Sequence, residues 1–316
     1  MIVALSGGVG GAKLVSGLAT ARPPGSLMAV INVGDDFDHL GLRVCPDIDS
    51  VLYAAAGLND TARGWGRKDE SWNFHQTLPQ LGYEPWFQLG DRDLATHVLR
   101  TDWLRQGLSL TDVTARMASA LGLGFALVPA TDDRLRTHVL TPEGELPFQD
   151  YFVRRRCEPV CLGLRFEGAD TARLAPPLAR LAARAEAEGF VICPSNPFLS
   201  IDPLLAVPGL SALLTTRRVP CVAVSPIIAG QAVKGPAAKM MGELRLEVSA
   251  LGIARRYGDL IDGLVLDIRD ADQAAAIEAL GLRVVLVDTL MTDAAARERV
   301  AHATLALLDR CTSCRN

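Results

Sequence analysis

Ile2-Val3-Ala4-Leu5-Ser6-Gly7-Gly8-Val9-Gly10-Gly11-Ala12-Lys13 opens the chain, and Leu27-Met28-Ala29-Val30-Ile31-Asn32-Val33-Gly34-Asp35-Asp36 follows it closely. Each stretch begins with a short apolar run that ends at glycine, which reads as a fully buried strand. Residues 12–21 between them carry a helical pattern that Pro23-Pro24 stops. Strand, helix and strand in this order make a βαβ unit. Such a unit demands parallel pairing and a right-handed crossover.

The same rhythm returns further along. Residues 125–129 read as a buried strand, and 138–153 as a hairpin turning at Pro142-Glu143-Gly144-Glu145. Residues 161–166 read as a further strand. From Pro176 onward, strands at 190–193, 219–225, 263–267 and 284–287 alternate with helical segments, the last over 293–308. The expected architecture is therefore α/β, a Rossmann-like, doubly wound, mainly parallel sheet. Residues 59–123 differ in texture. All four tryptophans fall there, strand signals are few, and helical patterns run over 70–81, 91–105 and 110–121. We expect an inserted helical lobe at 59–123, with 1–58 and 124–316 forming the nucleotide-binding core.

Bulk properties narrow the function. The 316 residues are 49% hydrophobic and 22% charged, a balance that supports a packed core rather than disorder. The formal net charge of −4 and the absence of a basic stripe argue against nucleic-acid binding. Arg154-Arg155-Arg156 is the one basic run and reads as a solvated strand end. No run approaches the ~18 apolar residues of a membrane span, and no signal-like n-region precedes the first strand. With seven scattered cysteines, these features lead us to expect a cytoplasmic protein with reduced thiols. Cys311 and Cys314 form a lone CxxC without a second pair, which reads as tail thiols.

Six segments carry candidate chemistry. Ser6, Gly7, Gly8, Val9, Gly10, Gly11 and Lys13 lie between a strand and a helix, where open backbone amides and the helix dipole favour a phosphate. The pattern is neither a P-loop nor a clean GxGxxG. Asp35 and Asp36 stand at the second strand's carboxyl end, the ligand edge of an open α/β sheet. Asp47 and Asp49, in Cys45-Pro46-Asp47-Ile48-Asp49-Ser50, could face one metal or one hydroxyl, or cap a helix. Arg92 in Gly90-Asp91-Arg92-Asp93 sits in a helix's first turn against the dipole, which favours a ligand role. His97 on that helix reads as a packed histidine. Ser195, Asn196 and Ser200, in a proline-stiffened loop after a strand, could bind a nucleotide. Lys239, in the first turn of a later helix, could meet a phosphate.

Taken together, the strings SGGVGGAKL (6–14), NVGDD (32–36), CPDIDSVLY (45–53), LGDRDLATH (89–97), PSNPFLSI (194–201), AVSPII (223–228), GPAAKMM (235–241) and DTLM (288–291) resemble the 2-phospho-L-lactate transferases. This is the CofD family of coenzyme F-420 biosynthesis. The resemblance implies a Rossmann-like core with a helical insertion, commonly a homodimer, and Mg²⁺ as cofactor. It also implies a reaction. The terminal ribityl hydroxyl of the deazaflavin Fo (7,8-didemethyl-8-hydroxy-5-deazariboflavin) attacks a guanosine-diphosphate-linked carboxylic acid, GMP leaves, and F-420 without glutamate forms. Asp49 and Arg92 match the family's Fo-contacting positions. The glycine segment, Ser195, Asn196 and their neighbours match the guanosine-diphosphate side.

On this basis Asp35, Asp36, Asp47 and Asp49 are the candidate catalytic residues, with Asp47 and Asp49 as metal ligands. Lys13 or Lys239 would screen the diphosphate. The donor's acid, lactate, enolpyruvate or glycerate, stays open. One alternative is a nicotinamide-dependent oxidoreductase, against which the broken GxGxxG counts. Another is a non-catalytic nucleotide-sugar-binding regulator of the related YvcK type, against which the CPDID and LGDRDLATH pairing counts.

Overall fold

A computed structural model describes residues 1–313. Cys314 of the CxxC lies outside them. Seven strands build one sheet: β1 Ile2–Ser6, β2 Leu27–Ile31, β3 Ala126–Pro129, β4 Gly189–Ile192, β5 Cys221–Val224, β6 Gly263–Asp267 and β7 Arg283–Val287. Their spatial order is β7-β6-β5-β4-β1-β2-β3, and every neighbouring pair is parallel. Every residue of β1, β2, β4, β5 and β6 is buried. Helices cover both faces of these strands, which is why they read as unbroken apolar runs rather than as alternating ones.

Strand β1 is the pivot. Leu5 pairs with Val30 of β2 on one side and Ile192 of β4 on the other. The chain winds outward one way through β2 and β3, and the other way through β4 to β7. Crossovers on the two sides diverge, so a crevice opens beyond the carboxyl ends of β1 and β4.

Helix α1 (Gly8–Ala21) packs between α2 (Pro46–Ala55) and the last helix, Ala294–Thr312. Residues 59–90 hold little regular structure beyond Asn73–Thr77 and a 3-10 turn, Leu78–Leu81. Helix α3 (Asp91–Arg105) and helix α4 (Leu110–Ala120) follow. Helix α4 buries Val113, Met117 and Ala118 in the same core as the sheet. It covers β3 and completes the crossover that a parallel β2-to-β3 connection requires. The part that stands apart from the sheet is therefore shorter than the helical texture at 59–123 implies. Beyond β3, Arg136–Thr141 pairs antiparallel with Gly144–Pro147 and with Gly163–Glu167.

Candidate functional site

The glycine-rich segment is a helix start rather than a loop. Strand β1 ends at Ser6, Gly7 alone intervenes, and α1 begins at Gly8, whose φ is +63°. A side chain at Gly8 would be strained there. A methyl at Gly7 would fall on the Asp47 carboxylate and the Ser200 side chain. Glycine thus lets the amino end of α1 press against α2 and the loop after β4. Gly7 N donates to Ser195 Oγ at 3.1 Å, and Gly8 N donates to Asp47 Oδ1 at 2.6 Å. First-turn amides of a helix lack intrahelical partners and favour negative charge.

Asn32, just past β2, ties this corner together. Its Nδ2 lies 3.0 Å from Asp35 Oδ1, 3.0 Å from Asp47 Oδ2 and 3.1 Å from the Leu199 carbonyl. Its Oδ1 accepts from Gly34 N at 2.8 Å. One amide with two hydrogens therefore serves three acceptors, two of them carboxylates. Both acids are buried. Burial, then the neighbouring Asp47, pushes the Asp35 carboxyl well above the usual carboxylate range. Burial raises Asp47 to about 6, against the hydrogen bonds from Asn32 and Gly8. Burial likewise raises Asp36 to about 7, opposed by the Cys45 thiol, Arg136 and Arg100. Asp36 Oδ1 is buried without a hydrogen-bond partner.

Two buried carboxylates beside the amino end of a helix suit a hard divalent cation. Mg²⁺ commonly takes one or two carboxylates and completes its shell with phosphate oxygens and water. Asp35 and Asp47 fit that use. Among the described residues, no cluster of three or more His, Cys, Asp or Glu side chains is placed to hold a metal by itself.

Asp49 lies in different surroundings. Residues two apart on a helix point to different sides, so Asp47 and Asp49 do not converge as their spacing suggests. Asp49 Oδ2 accepts from Arg100 Nη1 at 3.0 Å, and its Oδ1 pairs with Arg100 Nη2. Arg100 is 0% exposed. His97 Nδ1 lies 3.2 Å from Arg100 Nη1. Guanidinium can only donate, so Nδ1 accepts, and the ring hydrogen sits on Nε2. That nitrogen faces Asp93 Oδ2 at 3.3 Å. Tyr53 OH donates to Asp93 Oδ1 at 2.6 Å. This buried chain of side chains fastens α3 to α2. With both oxygens engaged by a guanidinium, Asp49 is poorly suited to ligate a cation.

The remaining candidates divide. Asn196 Oδ1 accepts from Phe198 N and Leu199 N, while its buried Nδ2 has no partner. Arg92 is over half exposed, and Asp69 is the acid beside it at 3.9 Å. The Glu70 carboxylate, accepting from Arg92 N and Asp93 N, caps α3 where Arg92 opposes the dipole. Lys239, on the helix Ala237–Glu243, turns to Glu243 at 2.5 Å and the Pro159 carbonyl at 3.0 Å. Lys13 is half-buried beside α2. Asn32, Asp93 and Arg100 were not singled out from the sequence. Asn32 sits inside the quoted NVGDD string, but Arg100 meets a partner 51 residues away, for which no local signal exists.

The family model for "2-phospho-L-lactate transferase CofD" matches residues 2–305. A phosphoenolpyruvate transferase from Kitasatospora aureofaciens is 41% identical over 316 aligned residues, covering 98% of each chain. A 2-phospho-L-lactate transferase from Methanosarcina barkeri is 37% identical over 308, again covering 98% of each. A UPF0052-family protein from Bacillus halodurans shares the fold, with a TM-score of 0.63 at 17% identity over 96% of this chain and 99% of that one.

Proposed function

Because the chain belongs to the CofD family of transferases, we propose that it acts in coenzyme F-420 biosynthesis on a guanosine-diphosphate-linked acid and Fo. The group moved is phospholactyl, phosphoenolpyruvyl or phosphoglyceryl, the acceptor is the ribityl hydroxyl, and GMP leaves. The observation that carries this reading is the Asn32 corner. There a carboxylate pair bridged by Asn32 meets the amino end of α1 at the point where the strand order reverses.

In this reading the diphosphate lies across the start of α1, with Ser195 and Asn196 on the opposite wall. The ribityl oxygen forms a bond to the phosphorus that carries the acid. The bond from that phosphorus to the bridging oxygen breaks, and GMP departs with that oxygen. The hydroxyl proton passes to the carboxylate pair, Asp35 or Asp47. Asp35 and Asp47 would also hold Mg²⁺, which when bound supplies charge neutralisation at the diphosphate. Alignment and electrostatic stabilisation supply most of the rate in phosphoryl-type transfer, so no stronger base is required. Asp49 then serves the acceptor side indirectly, by fastening α3 and its Asp91-Arg92-Asp93 turn over the crevice.

The test is chromatographic. Purified protein, Fo, Mg²⁺ and a synthetic guanosine-diphosphate-linked carboxylic acid should yield GMP and the phosphodiester of Fo with that acid in equal amounts. Formation of GMP without a deazaflavin product, or of neither, would refute the assignment.

A further inference from the structure

A second recess lies beside the glycine turn, walled by α1, α2 and residues 59–66. Its volume is about 60 Å³, and Lys13, Ser50, Asn59, Thr61, Lys234 and Thr292 line it. Such a space has room for a carboxylate or a phosphate group.

Its walls carry two lysines and one acid. Lys13 from α1 and Lys234 from the segment after β5 point into it. The Lys13 ammonium is held below its usual pKa by burial, then by the cations Lys234 and Arg297. Lys234 Nζ reaches the Gly64 carbonyl at 3.4 Å, and Arg297 Nε is buried without a hydrogen-bond partner. Asp60, the acid on the wall, is committed to Arg63, accepting from its backbone N at 2.8 Å and its Nη2 at 2.6 Å. Lys13 and Lys234 thus share a recess whose one acid is already taken. Such convergence opposes folding unless an anion offsets it. Ser50, Asn59 and Thr61 add neutral polar residues to the same walls.

We infer that this recess receives the small anionic end of a substrate, the carboxylate of the donor's acid. The inference rests on the function proposed above and deepens it. Val9, Ala12 and Lys13 form one wall, so a group seated here is contiguous with a diphosphate at the start of α1. The recess is then where lactyl, enolpyruvyl and glyceryl acids are told apart.

Calorimetric titration of the full-length protein with phosphoenolpyruvate, GDP and inorganic phosphate, each alone, tests it. Lys234→Glu is the main variant, because Lys234 is exposed and its replacement leaves the core intact; Lys234→Ala and Thr61→Val accompany it. Lys234→Glu should weaken phosphoenolpyruvate binding at least tenfold and GDP binding less than twofold, with Lys234→Ala intermediate and inorganic phosphate bound far more weakly than phosphoenolpyruvate. Unchanged phosphoenolpyruvate binding in Lys234→Glu overturns the inference. So does a tenfold loss for GDP or inorganic phosphate with phosphoenolpyruvate unaffected, which would make the recess a phosphate subsite. Protein that binds GDP but not phosphoenolpyruvate overturns the recess assignment and leaves the nucleotide reading standing. Protein that binds phosphoenolpyruvate through Lys234 but never GDP does the reverse.

Discussion

Arg100→Met removes the guanidinium from beneath Asp49 and keeps the side chain's apolar length. Asp49 and Arg100 are both buried, Arg100 completely, so the variant leaves a carboxylate unpaired in the interior. Breaking a buried pair from one side costs about 3–5 kcal/mol. Unfolding entropy near the midpoint is about 2.1 cal/mol/K per residue. For 316 residues that is about 0.66 kcal/mol/K, so the melting temperature should fall by roughly 5–8 °C. Differential scanning calorimetry at pH 7 reads this directly. Asp49→Leu combined with Arg100→Met removes both charges, and should recover at least half of the loss, because apolar replacement of a whole buried pair is near neutral. Arg100→Lys keeps the charge without the two-pronged geometry and should fall between. An Arg100→Met melting temperature within 1 °C of wild type, or a double variant that loses the sum of both singles, would refute the reasoning.

Three further outcomes follow from the same corner. Asp47→Asn should lower GMP release at least a hundredfold while GDP still binds within about threefold; near-wild-type turnover would remove Asp47 from the chemistry. Gly7→Ala places a methyl against Asp47 and Ser200, so it should weaken GDP binding more than tenfold by the same calorimetry, and a fully retained affinity would show that α1 need not approach so closely. Asp36 provides a pH test in metal-free buffer. Its native carboxyl titrates near 7, against about 3.9 in an unfolded chain. Between those values the native state holds a proton that the unfolded state has lost, so wild-type stability falls as pH rises through the window. Asp36→Asn, always neutral, should melt higher than wild type at pH 8 and no higher at pH 4; an identical difference at both pH values would contradict this.

Much of the scaffold is legible in local sequence. Buried strands announce themselves as short apolar runs, and residues 2–6 and 263–267 are strands over those same spans. The helix at 91–105 likewise matches its pattern. These features depend on neighbours within a turn or a strand, which is the range that periodicity reports. The glycines between β1 and α1 signal a close approach, though not that the helix already begins at Gly8. Helical segments after Pro197 escape local reading, because Pro197, Pro203 and Pro208 fall in their first turns, where proline is tolerated yet looks like a breaker.

What the side chains do to one another was decided by the tertiary structure. Asp47 and Asp49 look equivalent in Cys45-Pro46-Asp47-Ile48-Asp49, yet the turn of α2 sends one to Asn32 and the amide of Gly8, and the other to Arg100. Arg92 looks like the arginine of that helix with a role, yet the pitch of α3 buries Arg100 against Asp49 and leaves Arg92 toward solvent. Lys13 and Lys234 share a recess although more than two hundred residues separate them. Local sequence encodes which residues form a helix; which face of that helix meets a distant partner depends on how the layers pack around β1, and only the assembled sheet sets that.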